Sequence, residues 1–211
     1  MDPRPRPDTA ADGVPGGGQT RVGEDRDGSG DVRAGGAAGA ALGELIKARI
    51  RDVPDFPAPG IMFKDITPLL ADAALFGAVI GALATGHGPV DKVAGIEARG
   101  FILAAPVACR LGAGFVPVRK QGKLPAATLA QTYELEYGTA TVEVHTDAFA
   151  AGDRVLIVDD VLATGGTARA TAELVRRSGA DVTAVAVLLE LGFLSGRDGL
   201  AHLDVRALVT V

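Results

Sequence analysis

The sequence predicts a single α/β domain built around a mainly parallel sheet, and two features of the chain support this prediction. First, short apolar runs are followed by polar turns and then by helical patterns, most clearly at 91–111 and 154–177. This alternation is typical of parallel strands joined by helices, which place ligands at the carboxyl ends of the strands. Second, a chain of 211 residues that is 47% hydrophobic is long enough to bury one substantial core.

The beginning of the chain differs from the rest. Residues 1–41 are rich in Gly, Pro, Arg and Asp and contain almost no large apolar side chains. Such a segment cannot bury enough apolar surface to offset the entropy of ordering it, so we predict a disordered tail. The domain itself is predicted to span residues 42–211. A passive extension is favoured over a functional tail.

Helices and strands alternate from Leu42 onward. Apolar residues at helical spacing predict a short amphipathic helix from Leu42 to Ile50, and the prolines that follow predict an extended, turning segment. Further helices are predicted at 71–84, 100–111 and 168–177, and strands at 91–96, 115–119, 154–160 and 182–189. Because proline disrupts a helix interior, Pro106 predicts either a late helix start near Ala105 or a kink.

A loop and a pair of strands are predicted between the strands at 115–119 and 154–160. Residues 121–131 predict a mobile loop. Apolar and polar residues alternate at 133–137 and 141–145, which predicts two antiparallel strands.

The most informative stretch lies at the end of the strand at 154–160. Asp159 and Asp160 end the apolar run, and a Thr-Gly-Gly-Thr turn then leads into a helix. A strand–turn–helix junction of this kind directs backbone N–H groups and the positive end of the helix dipole at one point, where a phosphate fits. Gly165 and Gly166 allow close approach of the backbone, and the Thr164 and Thr167 hydroxyls add donors.

The adjacent carboxylates indicate what else this junction binds. Asp159 and Asp160 would repel a phosphate, but they are suitable acceptors for sugar hydroxyls, so the pair favours a ribose 5-phosphate. The alternative is a solvated strand end followed by a glycine turn. Neither G-x-x-x-x-G-K-[ST] nor G-x-G-x-x-G after a strand occurs, so a triphosphate P-loop and a dinucleotide fingerprint are not indicated.

A second turn of the same kind follows the strand at 91–96. The turn at 97–100 carries Arg99, whose planar guanidinium can hold phosphate oxygens. A surface ion pair between Glu97 and Arg99 is the alternative. Two anion sites on neighbouring strand ends suggest a ligand with phosphate at both ends, and phosphoribosyl diphosphate has that shape.

Cations follow the strand at 115–119. Arg119, Lys120 and Lys123 could neutralise a departing diphosphate, although a solvated sheet edge would have the same composition. Gly122 and Pro125 bracket the start of a predicted lid. Such a lid would keep water from a reactive, oxocarbenium-like sugar carbon.

Composition and spacing exclude several other classes of function. A net charge of -5 argues against a broad nucleic-acid surface, and no apolar run is long enough to span a bilayer. One cysteine, Cys109, rules out an internal disulfide and suits a reducing cytoplasm; its apolar surroundings predict a small core residue. One Cys and three widely spaced His give no metal-ligand cluster.

The residues from about Leu42 to the C-terminus resemble the adenine phosphoribosyltransferases, a branch of the type I phosphoribosyltransferase family. The segments that carry the resemblance are IRDVPDFPAPGIMFKDITPLL, AGIEARGFILAAPVACRLGAGFVPVRKQGKLP, YELEYG and RVLIVDDVLATGGTARA. The VDD and ATGGT elements mark the superfamily, whereas DFPAPGIMFKDITP and YELEYG are specific to the adenine branch. The implied fold is a mainly parallel central sheet flanked by helices, with a small hood segment and a flexible lid loop.

The resemblance implies transfer of phosphoribose from phosphoribosyl diphosphate to adenine, giving AMP and diphosphate with Mg²⁺ held mainly by substrate oxygens and water. It also implies a cytoplasmic homodimer. Glu136 is implied as an acid/base near the purine nitrogens and Arg99 as a catalytic residue, with Phe63 stacking on the purine beside backbone groups of Met62 and Lys64. The implied 5-phosphate and ribose ligands are Asp159, Asp160, Ala163, Thr164, Gly165, Gly166 and Thr167. The implied diphosphate ligands are Arg99, Arg119, Lys120 and Lys123.

The sequence departs from the family pattern at a few places. Gln121 replaces a usual basic residue, residues 125–127 loosen a usual Pro-Gly turn, and the tail has no family counterpart.

Two rival functions remain. A non-catalytic sensor of phosphoribosyl diphosphate would need a partner-binding module, which the tail does not indicate. The nearer rival is a transferase for xanthine or another base, because side chains do not exclude another purine if the main chain reads its edge.

Overall fold

The computed structural model describes residues 29–134 and 138–211, and seven strands of these residues form one central sheet. In chain order the strands are β1 (Arg51–Val53), β2 (Phe63–Asp65), β3 (Lys92–Ile96), β4 (Gly114–Lys120), β5 (Thr128–Glu134), β6 (Thr139–His145), β7 (Arg154–Leu162), β8 (Asp181–Glu190) and β9 (Val205–Thr210). The central sheet has the order β5-β6-β4-β3-β7-β8-β9. Strands β4, β3, β7, β8 and β9 run parallel, whereas β5 and β6 are antiparallel to their neighbours.

The helices cover the sheet on both faces. They are α1 (Ser29–Arg49), α2 (Thr67–Leu70), α3 (Ala73–Leu83), α4 (Gly100–Leu111) and α5 (Gly166–Arg177), and short 3₁₀ turns occupy Gly192–Leu194 and Asp198–Leu200. Strands β1 and β2 form a separate antiparallel ribbon, which we call the hood. None of the helices within residues 29–134 and 138–211 combines the length and apolar character needed to cross a membrane.

Strand β7 shows why the parallel strands are continuous apolar runs. Its side chains alternate between faces, so Leu156 and Val158 pack with α1, α3 and α4 while Val155 and Ile157 pack with α5. All four side chains are fully buried. The sheet therefore separates two apolar cores, and its central strands fix the position of the turns that follow them.

The predicted α/β fold is confirmed, and the structure corrects several of its details. Strand β5 begins at Thr128, inside the predicted mobile loop, because Leu129 and Tyr133 pack against the core under α5. Asp159 and Asp160 lie within β7, which continues to Leu162, rather than at its end. Strand β9 was not among the predicted strands.

Helix α4 differs from the expectation raised by Pro106. The helix begins at Gly100 and contains Pro106, so a start near Ala105 is wrong. Burial of Leu103, Ala104, Val107 and Ala108 offsets the hydrogen bond that proline cannot donate. Cys109 follows this buried face but is exposed, which corrects its assignment to the core.

Helix α1 extends further towards the N-terminus than the sequence pattern indicated. It begins at Ser29, inside the segment predicted to be a tail. Residues 1–28 lie outside the described part of the chain. The division into a tail and a domain at residue 42 stays a prediction.

Candidate active site

The turn between β7 and α5, residues 163–167, has the backbone geometry of an anion site; we call it the phosphate loop. Gly165 has φ 79°, a left-handed conformation that glycine adopts at low cost, and α5 starts at the next residue. Within residues 29–134 and 138–211 no side chain caps this helix, so no side-chain acceptor there competes with a ligand for its first-turn N–H groups. A cavity of about 70 Å³ lies against this loop. The loop can therefore offer backbone donors and the positive end of the helix dipole to an anion.

The two carboxylates predicted to bind ribose lie beside this loop. Asp160 is buried, at 6% exposure, and the backbone N–H of Asp160 donates to Asp159 Oδ1 at 2.9 Å. A Cβ on Gly100 would lie 2.7 Å from Asp159 Oδ1, so α4 approaches the carboxylate closely because its first residue is glycine. Burial raises the pKa of Asp159 well above its usual range, and the neighbouring Asp160 charge raises it further.

Arg99 connects Asp160 to the hood. Its Nη2 atom lies 2.7 Å from Asp160 Oδ2, and its Nη1 donates to the Lys64 carbonyl at 3.3 Å. The guanidinium carbon stands 4.7 Å from the centroid of the Phe63 ring. Burial raises the pKa of Asp160, and the Arg99 charge opposes that increase. The alternative pairing of Arg99 with Glu97 is not formed.

Glu97 instead organises the cations that follow β4. Its Oε2 atom accepts from Arg119 Nε at 3.0 Å and from the backbone N–H of Lys120 at 3.0 Å. Burial opposes ionisation of Glu97, but these hydrogen bonds outweigh it and lower the pKa of the carboxyl group. Arg119 is thus engaged with Glu97, and Lys120 is fixed at the backbone while its side chain stays exposed.

A cavity of about 270 Å³ is lined by most of the charged residues described above. The predicted site residues that line it are Arg99, Lys120, Asp159, Asp160 and Thr167. Arg119, which lies in β4, and Lys123, which lies in the turn after it, do not line this cavity. The backbone N–H groups of Gly122, Lys123 and Leu124 all donate to the buried Glu143 carboxylate, at 3.0–3.2 Å.

The residues predicted to contact a purine lie in or next to the hood. Phe63 packs edge-on against Phe56, with centroids 5.1 Å apart, and Met62 is 50% exposed. The Lys64 side chain forms an ion pair with Asp52 at 2.7 Å. The backbone carbonyl of Lys64 accepts a hydrogen bond from Arg99. Arg99 thereby links the hood to Asp160. Glu136 lies outside the described residues.

Tyr133 is a residue of this cavity that was not predicted from the sequence. Tyr133 lines the cavity, and its hydroxyl oxygen accepts a hydrogen bond from Thr167 Oγ1 at 2.9 Å. A Cβ on Gly166 would lie 2.9 Å from the Tyr133 ring. The only sequence signal was its position at the start of the YELEYG segment, and its contact with the phosphate loop depends on how β5 packs on α5.

The fold and this cavity together define a class of protein, the phosphoribosyltransferases. The family model described as "Phosphoribosyl transferase domain" matches residues 73–200. The adenine phosphoribosyltransferase of Acidothermus cellulolyticus is 62% identical over 174 residues, which cover 82% of this chain and 98% of that protein. That of Thermobifida fusca is 63% identical over 169 residues, covering 79% and 96%. The chain therefore belongs to the adenine phosphoribosyltransferase family.

Solved structures agree with this assignment. The adenine phosphoribosyltransferase of Rhodothermus marinus has a TM-score of 0.79 and 54% identity, with 82% of this chain and 99% of that chain covered. The enzyme of Saccharomyces cerevisiae, solved with adenine and an imino-altritol bisphosphate, has a TM-score of 0.74 and 38% identity, with 80% and 99% covered.

Proposed function

We propose that this chain transfers the 5-phosphoribosyl group of phosphoribosyl diphosphate to adenine and releases diphosphate and AMP, a reaction of purine salvage. The bond from the anomeric carbon to the diphosphate oxygen breaks, a bond from that carbon to an adenine nitrogen forms, and that nitrogen loses its proton. The observation that carries the proposal is the cavity in which the phosphate loop, the paired carboxylates and Arg99 meet. Membership of the adenine branch supports adenine as the acceptor base.

The phosphate loop is assigned to the 5-phosphate. Its residues are Ala163, Thr164, Gly165, Gly166 and Thr167. Uncapped helix N–H groups support this role because they need an acceptor. Asp159 and Asp160 are assigned to the ribose hydroxyls. Both carboxylates carry acceptor oxygens, and the buried Asp160 Oδ2 has no aligned hydrogen-bond donor within the described residues.

The diphosphate is assigned to Arg99, Arg119, Lys120 and Lys123. Arg99 and Lys120 line the cavity directly, whereas Arg119 would have to leave Glu97 and Lys123 would have to turn inward to reach the same anion. Cations at this position neutralise charge that develops on the leaving oxygens.

Mg²⁺ fits this donor set as an ion held mainly by substrate oxygens and water, beside Asp159 and Asp160. Residues 29–134 and 138–211 contain no cluster of three or more His, Cys, Asp or Glu side chains able to hold a metal ion. Mg²⁺ commonly keeps several water ligands and binds through substrate phosphates. When bound, it would neutralise part of the diphosphate charge.

Arg99→Ala is expected to raise the KM for phosphoribosyl diphosphate and to lower kcat, together by about two powers of ten in kcat/KM. The variant removes a cation from the cavity and leaves the Asp160 carboxylate without its partner. Initial rates at varied phosphoribosyl diphosphate measure the effect, and Arg154→Ala, which removes an arginine from a surface ion pair with Asp91, is the control. Unchanged kinetics in Arg99→Ala would remove this residue from the site.

Adenine is assigned to the hood, with Phe63 stacking on the base and the backbone of Met62 and Lys64 forming hydrogen bonds with its edge.

Glu136 is the proposed acid/base for the adenine nitrogens. Glu136→Gln is expected to lower kcat by about one to three powers of ten with little change in either KM, because the amide cannot exchange a proton. Steady-state kinetics against both substrates tests this, and wild-type turnover in the variant would exclude Glu136 from the chemistry.

A homodimer and a cytoplasmic location are also proposed. Ile102 on α4 and Phe115 on β4 are exposed at 44% and 38%, and such exposed apolar side chains support burial against a second copy. Sedimentation velocity of the purified protein measures the oligomeric state, and cell fractionation measures the location.

A base panel tests the proposed function. Purified protein with Mg²⁺ and phosphoribosyl diphosphate is offered adenine, hypoxanthine, guanine or xanthine, and the nucleotide formed is measured. We expect AMP from adenine and much slower reaction with the other bases. Faster reaction with xanthine would favour the alternative base, and absence of nucleotide with every base would favour the sensor.

A further inference from the structure

A short segment far along the chain lies against the back of the phosphate loop. Gly196 is buried, and a Cβ added to it would collide with the Ala163 carbonyl oxygen and lie 3.2 Å from the Gly165 nitrogen. A Cβ added to Gly165 would in turn collide with the Gly196 carbonyl oxygen. The two backbones are therefore packed so closely that neither position has room for a methyl group.

The residue after Gly196 fixes this segment to the sheet. Arg197 forms a two-point ion pair with Glu190 at the end of β8, with Nε–Oε1 at 2.6 Å and Nη2–Oε2 at 2.8 Å. Arg197 Nη1 also donates to the Val205 carbonyl at the start of β9. Thr210 Oγ1 donates to the same Glu190 carboxylate at 3.2 Å.

The Glu190 carboxylate is a rigid partner for Arg197. It is 6% exposed, and hydrogen bonds from Arg197 lower the pKa of its carboxyl group even though burial opposes ionisation. A paired, buried carboxylate that accepts from a planar guanidinium allows little freedom of orientation. Arg197 therefore holds the backbone of Gly196 at a defined distance from β8 and from the phosphate loop.

We propose that Gly196, held by the Arg197–Glu190 pair, is a positioning element that keeps the phosphate loop in its anion-binding conformation. This proposal rests on the proposed function, because it takes the ligand of the loop to be the phosphate of a ribose 5-phosphate ester. None of the three residues lines the cavities at the site. They act through the loop backbone, whose N–H groups must converge on one phosphate to bind it.

The positioning role has a specific consequence for ligand affinity. Displacement of the phosphate loop weakens binding of every ligand that carries the 5-phosphate. It leaves the hood, and hence the contacts proposed for the purine, in place. Phosphorylated ligands and the free base are thus expected to respond differently.

The test compares two pairs of matched variants. Gly196→Ala introduces the collision, whereas Gly199→Ala adds a methyl group in the same region that meets only the Arg169 side chain, at 3.6 Å. Arg197→Lys removes the two-point contact and keeps the charge, whereas Arg206→Lys changes an exposed arginine paired with Asp204. Calorimetry measures the Kd values of AMP and ribose 5-phosphate, steady-state kinetics measures the KM for adenine at saturating phosphoribosyl diphosphate, and thermal unfolding shows that each variant is folded.

We expect Gly196→Ala to weaken AMP and ribose 5-phosphate binding about tenfold or more, and Arg197→Lys about threefold, with the KM for adenine changed less than about twofold. Both control variants should bind as the wild type does. Wild-type affinity for AMP in either folded test variant, or equal losses for phosphorylated ligands and adenine, would overturn the proposal. If Gly196→Ala does not fold, Arg197→Lys decides the outcome. Failure of the wild type itself to bind ribose 5-phosphate would instead overturn the proposed function.

Discussion

Replacing Asp159 and Asp160 together with asparagine is expected to lower kcat/KM for phosphoribosyl diphosphate by about two to four powers of ten. Each carboxylate is proposed to accept charge-assisted hydrogen bonds from the ribose hydroxyls, worth about 1.5–3 kcal/mol apiece. The loss of both amounts to about 3–6 kcal/mol, and each 1.4 kcal/mol corresponds to about one power of ten. Asparagine keeps the shape of each side chain, so the change isolates charge from packing.

Initial-rate kinetics at varied phosphoribosyl diphosphate measures this effect. Asp181→Asn is the matched control, because Asp181 is an exposed carboxylate at the start of β8, at the opposite end of the parallel strands from the site. It should retain wild-type kcat/KM. A double variant within about tenfold of the wild type would show that the carboxylates do not bind the ribose.

The same double variant is expected to have a higher free energy of unfolding than the wild type at neutral pH in the absence of ligand. Burial raises the pKa of Asp159 above its value in the unfolded chain. Such a group destabilises the fold where it is charged, so the wild type gains stability as the pH falls through the raised, folded-state pKa towards the unfolded one. Urea unfolding across that pH range should show the gain in the wild type and a smaller one in the variant; a less stable variant would contradict the prediction.

Gly165→Ala is expected to weaken binding of AMP and phosphoribosyl diphosphate by about two powers of ten. Two physical effects combine. Residue 165 has φ 79°, which costs a residue with a Cβ about 1 kcal/mol, and the new methyl group would collide with the Gly196 carbonyl. The phosphate loop must shift to relieve that collision, and its N–H groups then no longer converge on the phosphate.

Gly152→Ala separates the two effects. Gly152 has φ 80°, but a Cβ added there would meet no atom within 4 Å. It therefore carries the same backbone cost without a collision, and its loop between β6 and β7 does not line the cavity. Thermal unfolding should show a loss of stability in both variants that is larger in Gly165→Ala, and calorimetry with AMP should show a loss of affinity in Gly165→Ala alone. Equal affinities in the two variants would refute the packing argument.

Much of the site could be predicted from the sequence because its parts are local. The acidic pair, the double glycine and the helix start lie within one short stretch, and the geometry of a strand–turn–helix junction follows from residues that are neighbours in the chain. The turn at 97–100 was identified in the same way. These motifs also carried the family resemblance, which supplied the reaction and the roles of Glu136 and Phe63.

Contacts between distant segments were predicted less well. Glu97 and Arg99 are near neighbours in sequence, yet Glu97 pairs with Arg119 and Arg99 with Asp160. The local sequence shows which charged side chains are available to form ion pairs. Which of them pair depends on the order of strands β4, β3 and β7 in the sheet. The contact of Tyr133 with Thr167 has the same origin, since it requires β5 to pack on α5.

The sequence by itself determined the α/β fold, the phosphate loop and the chemical class of the ligand, because periodicity and turn chemistry act over a few residues. Only the tertiary structure decided where β5 begins, that α4 accommodates Pro106 and leaves Cys109 exposed, and that Gly196 packs on Gly165. Each of these outcomes depends on burial against another element. The free energy of such burial depends on contact between two surfaces that are distant in the chain. It therefore cannot be predicted from the sequence of either segment alone.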